Sequence, residues 1–115
     1  MRALLVLVLL TTAPLALAEE SSSRQLAFGL TVAQKGLWQE AKFRFERAVA
    51  LDPKNAAAHN DLAVALEQLG DFTGARAAYE KALALEPGDL YIQQNFDLFR
   101  EGDDKRNRKA RRKEP

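Results

Sequence analysis

Seven of the nine residues from Lys105 to Lys113 are cations: Lys105, Arg106, Arg108, Lys109, Arg111, Arg112 and Lys113. Ammonium and guanidinium groups at this density suit one kind of chemistry, neutralising an anionic polymer by displacing its counterions, a grip that weakens steeply with salt. No aromatic residue is interleaved with them, so nucleobases would find no stacking platform and nucleic acid is disfavoured. Membrane headgroups or cell-wall polyanions match the tail better. A solvated tail, or one that touches the acidic body, is the plainer alternative. Elsewhere the reactive inventory is thin. There is no cysteine and one histidine, which removes thiolate nucleophiles, disulfides and most metal sites. His59 stands beside Asn60 and Asp61, and a packing or surface role suits it better than ligation. Asp103 and Asp104 adjoin the basic run, in an expected coil without a scaffold to hold a catalytic distance. No glycine-rich loop is present to cradle a phosphate. The residues therefore point to binding without catalysis, cofactor or metal.

Charge divides the chain. Residues 105–115 hold seven basic residues and one acidic, whereas residues 19–104 hold nine basic and fifteen acidic. The N-terminus has a different character. Arg2 precedes the apolar run Ala3–Leu10, followed by Pro14 and the triplet Ala16-Leu17-Ala18 before Glu19. That is the layout of a secretory signal peptide over residues 1–18, with cleavage after Ala18. The run is shorter than the ~20 residues of a spanning helix. An exported protein, periplasmic or secreted, is the expectation; an uncleaved N-terminal anchor is the alternative.

The elements that must position any binding surface emerge from self-comparison. GLWQEAKFRFERAVALDPKN (36–55) aligns with GDFTGARAAYEKALALEPGD (70–89). Gly36/Gly70, Ala41/Ala75, Glu46/Glu80, Ala48/Ala82, Ala50/Ala84, Leu51/Leu85 and Pro53/Pro87 coincide at an offset of 34 residues. Trp38/Phe72 and Phe45/Tyr79 match in kind. A fixed period in this range signals a stacked repeat array. Leu62, Leu66 and Leu69 recur at steps of four and three, one face of a helix, which Asn55 can start and Gly70 can stop. Phe72, Ala75, Tyr79, Ala82 and Leu83 line a second helix that Asp71 can cap. Pro87 biases Glu86 away from helical geometry. Leu37 stands where the later unit has Asp71, so the earlier helix loses its cap, and Gly74 is expected to weaken its helix.

With these residues the chain resembles the tetratricopeptide repeat family, whose unit is a 34-residue helix–turn–helix. Gly29/Ala63, Ala41/Ala75 and Ala48/Ala82 fall on that family's small positions. The resemblance implies an all-α helical-hairpin array of about five helices, with one repeat over 22–55 and a second over 56–89. A capping helix over 90–101 starts at Asp89 and packs Tyr91, Ile92, Phe96 and Phe99 on the preceding hairpin. Asp97 and Arg100 are polar where Ala63 and Leu66 stood one unit earlier, so the array should end there, followed by a disordered basic tail, 102–115. So short a stack also makes self-association an expectation.

The resemblance further implies a partner-docking face on the first helix of each unit. Carried onto this chain, that face comprises Leu26, Leu30, Ala33 and Gln34, then Asn60, Val64, Glu67 and Gln68, then Tyr91, Gln94 and Leu98. The blend is apolar with amides and one carboxylate, suited to an extended or helical protein or peptide segment. Leu26 and Leu30 stand where a carboxylate-gripping member would place Lys and Asn. Leu26, Leu30 and Val64 either line this groove or simply fill the hairpin interior.

Overall fold

The computed structural model describes residues 20–115; the expected signal peptide lies outside the described residues. Five helices follow one another: α1 (Ser22–Gln34), α2 (Trp38–Leu51), α3 (Ala56–Gln68), α4 (Phe72–Leu85) and α5 (Leu90–Arg111). The described residues contain no strand. Three- and four-residue connections force each helix to fold back on its predecessor. Thus α1 pairs with α2, α3 with α4, and α5 lies against α4. The first helices α1, α3 and α5 also touch in series, forming one continuous face.

The start and stop chemistry repeats with the period. Ser21, Asn55 and Asp89, spaced 34 residues apart, each accept a hydrogen bond from the amide three residues on, at Arg24, Ala58 and Ile92. Side-chain caps of this kind satisfy amides that a helix start otherwise leaves unpaired. Asp71 caps α4 in the same way, whereas Leu37 heads α2 with no side-chain cap, as expected. Gly36 and Gly70 stop α1 and α3 with φ of +74° and +83°. At each stop the next amide reaches back to a carbonyl of the last turn, Leu37 to Val32 and Asp71 to Leu66. This left-handed closure favours glycine.

Small residues let the helices nest. Ala41, Ala48, Ala63, Ala75 and Ala82 are fully buried, with Phe45 and Tyr79 filling the hollows between them. Tyr79 also joins Phe96 and Phe99 of α5, with ring centroids 5.7 and 5.3 Å away. Asn55 does a second job by donating to Ser22 Oγ, which itself donates to the Ala48 carbonyl. These bonds tie the start of α1 to the turn between the two repeats.

Two features of α5 differ from expectation. Tyr91 points outward, while Ile92, Phe96 and Phe99 alone of the expected four are buried. The helix also runs unbroken to Arg111, where composition predicts a cap ending at 101 and a disordered tail from 102. The cause lies in contacts from distant positions. Asp103 is buried and accepts from Arg76 at 2.8 Å and from Arg106 at 3.3 Å. The Arg106 guanidinium lies 3.6 Å from the centroid of the Phe72 ring, a cation–π contact. Arg108, Lys109 and Arg111 in the last turn also complement the negative end of the helix dipole. Asp103 and Asp104 thus sit on a helix. Asp97 and Arg100 are exposed, as a terminal helix requires.

Candidate partner-docking groove

The first-helix face encloses an apolar hollow of about 210 Å³ lined by Leu30, Ala33, Gln34, Trp38, Phe45, Asp61, Val64 and Tyr91. Helical spacing explains the convergence. Leu30, Ala33 and Gln34 fall one turn apart on α1, Asp61 and Val64 one turn apart on α3, and Tyr91 opens α5. The hollow continues into a second of about 380 Å³ that shares Leu30, Asp61 and Tyr91 and adds Asn60, Ile92 and the turn residues Asp52, Lys54, Glu86 and Asp89. Carboxylates outnumber ammonium groups there four to one.

The expected docking residues divide into three groups. Leu30, Ala33, Gln34, Val64 and Tyr91 meet in the hollow. Leu30 is 44 % and Tyr91 64 % exposed, so apolar surface is left uncovered on this face. Leu26 packs into the core with Val32, Phe45 and Ala65. Asn60 is only 1 % exposed, and its side-chain oxygen accepts from Asn95 at 3.2 Å. Glu67 turns toward the core and accepts from the Tyr79 hydroxyl at 3.0 Å. Burial and the Glu67 carboxylate together push the Tyr79 phenol upward. Gln68, Gln94 and Leu98 are exposed and line neither part of the hollow.

Asp61 also lines the groove, although its residue type and spacing alone do not mark it out in the sequence. Its Oδ1 accepts from the Asn60 amide at 3.1 Å, and among the described residues no Lys or Arg pairs with it. Burial against the apolar walls pushes its carboxyl up to about 6, with the Asn60 bond pulling the other way. The available signal was a carboxylate one turn before Val64 on a helix otherwise rich in Ala and Leu. Trp38, read as packing, is half-buried and serves both core and groove.

His59 is buried, and its Nε2 lies 2.8 Å from the Pro53 carbonyl oxygen. A carbonyl can only accept, so Nε2 carries the hydrogen and the ring braces the turn before α3. No group of three or more potential metal ligands occurs among the described residues. Among the seven tail cations, Arg106 is engaged with Asp103 and Phe72. Lys105, Arg108, Lys109, Arg111, Arg112 and Lys113 are exposed.

Comparison with known proteins agrees with this architecture. The Sgt2 TPR domain from Aspergillus fumigatus superposes with a TM-score of 0.76 at 24 % identity, over 88 % of this chain and 66 % of that one. A protein named Lipoprotein NlpI homolog from Haemophilus influenzae is 32 % identical over 80 residues, which is 70 % of this chain. The chain spans only 26 % of that relative's length. The tetratricopeptide repeat profile matches residues 26–89. Domains with this repeat generally mediate protein–protein interaction and are typically non-catalytic scaffolds. On that match, the 34-residue period and the nested hairpins, the chain belongs to the tetratricopeptide repeat family.

Proposed function

We propose that this protein is an exported, non-catalytic adaptor that docks a partner segment on its first-helix face. One observation carries the reading: Leu30, Trp38, Val64 and Tyr91 converge on a concave apolar hollow that no element of the described chain covers. A hollow about 210 Å³ in size admits one or two side chains of a docked peptide, with backbone and flanking contacts running along α1, α3 and α5. The signal-like layout of residues 1–18 supports export, and the Haemophilus influenzae relative is itself named a lipoprotein.

The test compares capture of a purified partner by three forms. Leu30→Ala with Tyr91→Ala should weaken binding about tenfold or more, because two apolar contacts are lost. Deletion of residues 107–115, which spares the Asp103 and Arg106 contacts, should leave binding nearly intact. Binding should also persist at ~0.5 M salt. The opposite pattern would place the interaction on the tail.

A second reading has its own support. The end of α5 displays Lys105, Arg108, Lys109 and Arg111 to solvent, and the turn just past it displays Arg112 and Lys113. A cluster of exposed cations suits an anionic envelope surface. Sedimentation with vesicles containing anionic lipid, lost at high salt and on deletion of 107–115, is the expected result for this contact.

A further inference from the structure

The groove contains one feature that an apolar docking site does not need. Asp61 sits among Leu30, Val64, Trp38 and Tyr91, walls that strip water from its carboxylate. A chain of amides holds it there: Asn95 donates to Asn60 at 3.2 Å, and Asn60 donates to Asp61 Oδ1 at 3.1 Å. Asn60 is buried, so this chain links α5 to α3 through the core of the array. Among the described residues no side chain donates to the other carboxylate oxygen, and the adjoining hollow adds Asp52, Glu86 and Asp89 against Lys54 alone. A desolvated carboxylate with one satisfied oxygen is costly unless a cation completes it.

We propose that the docked segment carries a lysine or arginine beside an aliphatic residue, with its cationic head on Asp61 and its hydrocarbon stem on Leu30 and Val64. Such side chains pair a long apolar stem with a charged head, which matches an apolar wall ending in a carboxylate. Trp38 and Tyr91 supply aromatic faces on which a guanidinium can stack. The surrounding acidic excess would draw such a segment in and repel an acidic one. The chain's own basic tail is a poorer occupant. From 105 onward its only apolar residues are Ala110 and the final Pro115, too little to cover Leu30 and Val64.

This inference rests on the groove reading above, and the experiment separates the two. A random-peptide phage library is selected against the folded protein, and enriched peptides are synthesised and measured by fluorescence anisotropy. The expected winners carry Lys or Arg next to an aliphatic or aromatic residue. Asp61→Asn should weaken them about tenfold or more, with Asp61→Ser as a second variant and helical circular dichroism as the folding check. Replacing the peptide's basic residue with Gln should cost a similar factor on the wild-type protein and little on Asp61→Asn, the signature of a direct pair. Winners without a basic residue, or equal losses in both backgrounds, would overturn the inference while leaving the groove intact. Winners insensitive to Leu30→Ala and Val64→Ala would overturn the groove as well, as would a selection that enriches nothing.

Discussion

Replacing Gly29 with alanine would ordinarily strengthen a helix by up to ~1 kcal/mol. In this fold it should do the reverse. A Cβ at position 29 would lie 2.5 Å from Phe45 Cε1, 2.7 Å from Phe45 Cδ1 and 3.2 Å from Arg44 Cβ. Carbon atoms prefer roughly 3.5–4.0 Å, so the ring would have to retreat by about 1 Å. It has nowhere to go, since Phe45 is 1 % exposed and packed with Val32, Ala41 and Ala65. Overpacking of this kind costs about 1–3 kcal/mol. From the middle of that range, about 2 kcal/mol, a net loss of about 1 kcal/mol remains after the propensity gain. In a domain of this size each lost kcal/mol lowers Tm by about 4–8 °C. The equivalent residue in the second repeat, Ala63, is already an alanine and fully buried. Ala63→Gly should therefore destabilise too, through lost propensity and a lost methyl contact. Urea and thermal unfolding followed by helical circular dichroism measure both variants. Repeating the melts at widely spaced protein concentrations tests for self-association at the same time. A Gly29→Ala protein as stable as the parent, or more stable, would refute the close nesting of α1 on α2.

Further outcomes follow from the caps and charges. Leu37 and Asp71 have similar backbone angles, φ −86° and ψ 69° against φ −84° and ψ 77°, so Leu37→Ser should supply the missing cap and raise unfolding stability by about 1 kcal/mol. The Arg76 guanidinium, helped by Arg106, holds the Asp103 carboxyl below its ordinary value. A depressed carboxyl stabilises the fold above its unfolded value near pH 4 and loses that contribution as pH falls through the folded value. The stability gap between the parent and Asp103→Asn should accordingly be constant near neutrality and close in acid, as pH-dependent urea melts would reveal. Asp61 runs the other way. With its carboxyl pushed up to about 6, the charged form strains the fold above that pH and the strain is relieved as pH falls toward 4. Asp61→Asn should therefore stabilise the protein near neutrality by about 1–3 kcal/mol, even as it weakens peptide binding. A destabilised variant would argue for a purely structural Asp61.

The helices were legible because their signals are local and repeated. The 34-residue offset, the caps Asn55, Asp71 and Asp89, and the glycine stops at 36 and 70 all act within a few residues of themselves. At Gly74 an added Cβ would lie 2.5 Å from Asp71 Oδ2, the movable end of the capping side chain, and the equivalent caps carry Ala58 and Ile92 at this position. The end of α5 was illegible for a different reason. Composition treats Asp103 and Arg106 as solvated charges, but their partners Arg76 and Phe72 stand some thirty residues earlier. The groove was half legible. Family register puts Leu30, Gln34, Val64 and Tyr91 on the inner face, and the four meet around one hollow because each follows from helical spacing alone. It does not foresee that Asn60 and Glu67 find polar partners on α5 and α4, although Asn60 still borders the adjoining hollow. It overlooked Asp61, whose setting depends on walls contributed by α1, α2 and α5 together.

The most direct test of the docking account is a backbone amide footprint, taken by NMR chemical-shift mapping or hydrogen exchange with a bound partner segment. The account predicts changes along the inner side of α1 and α3, centred on Leu30, Asp61 and Val64 and reaching Tyr91. Changes confined to the outer faces of α2 and α4, or to the last turns of α5, would contradict it.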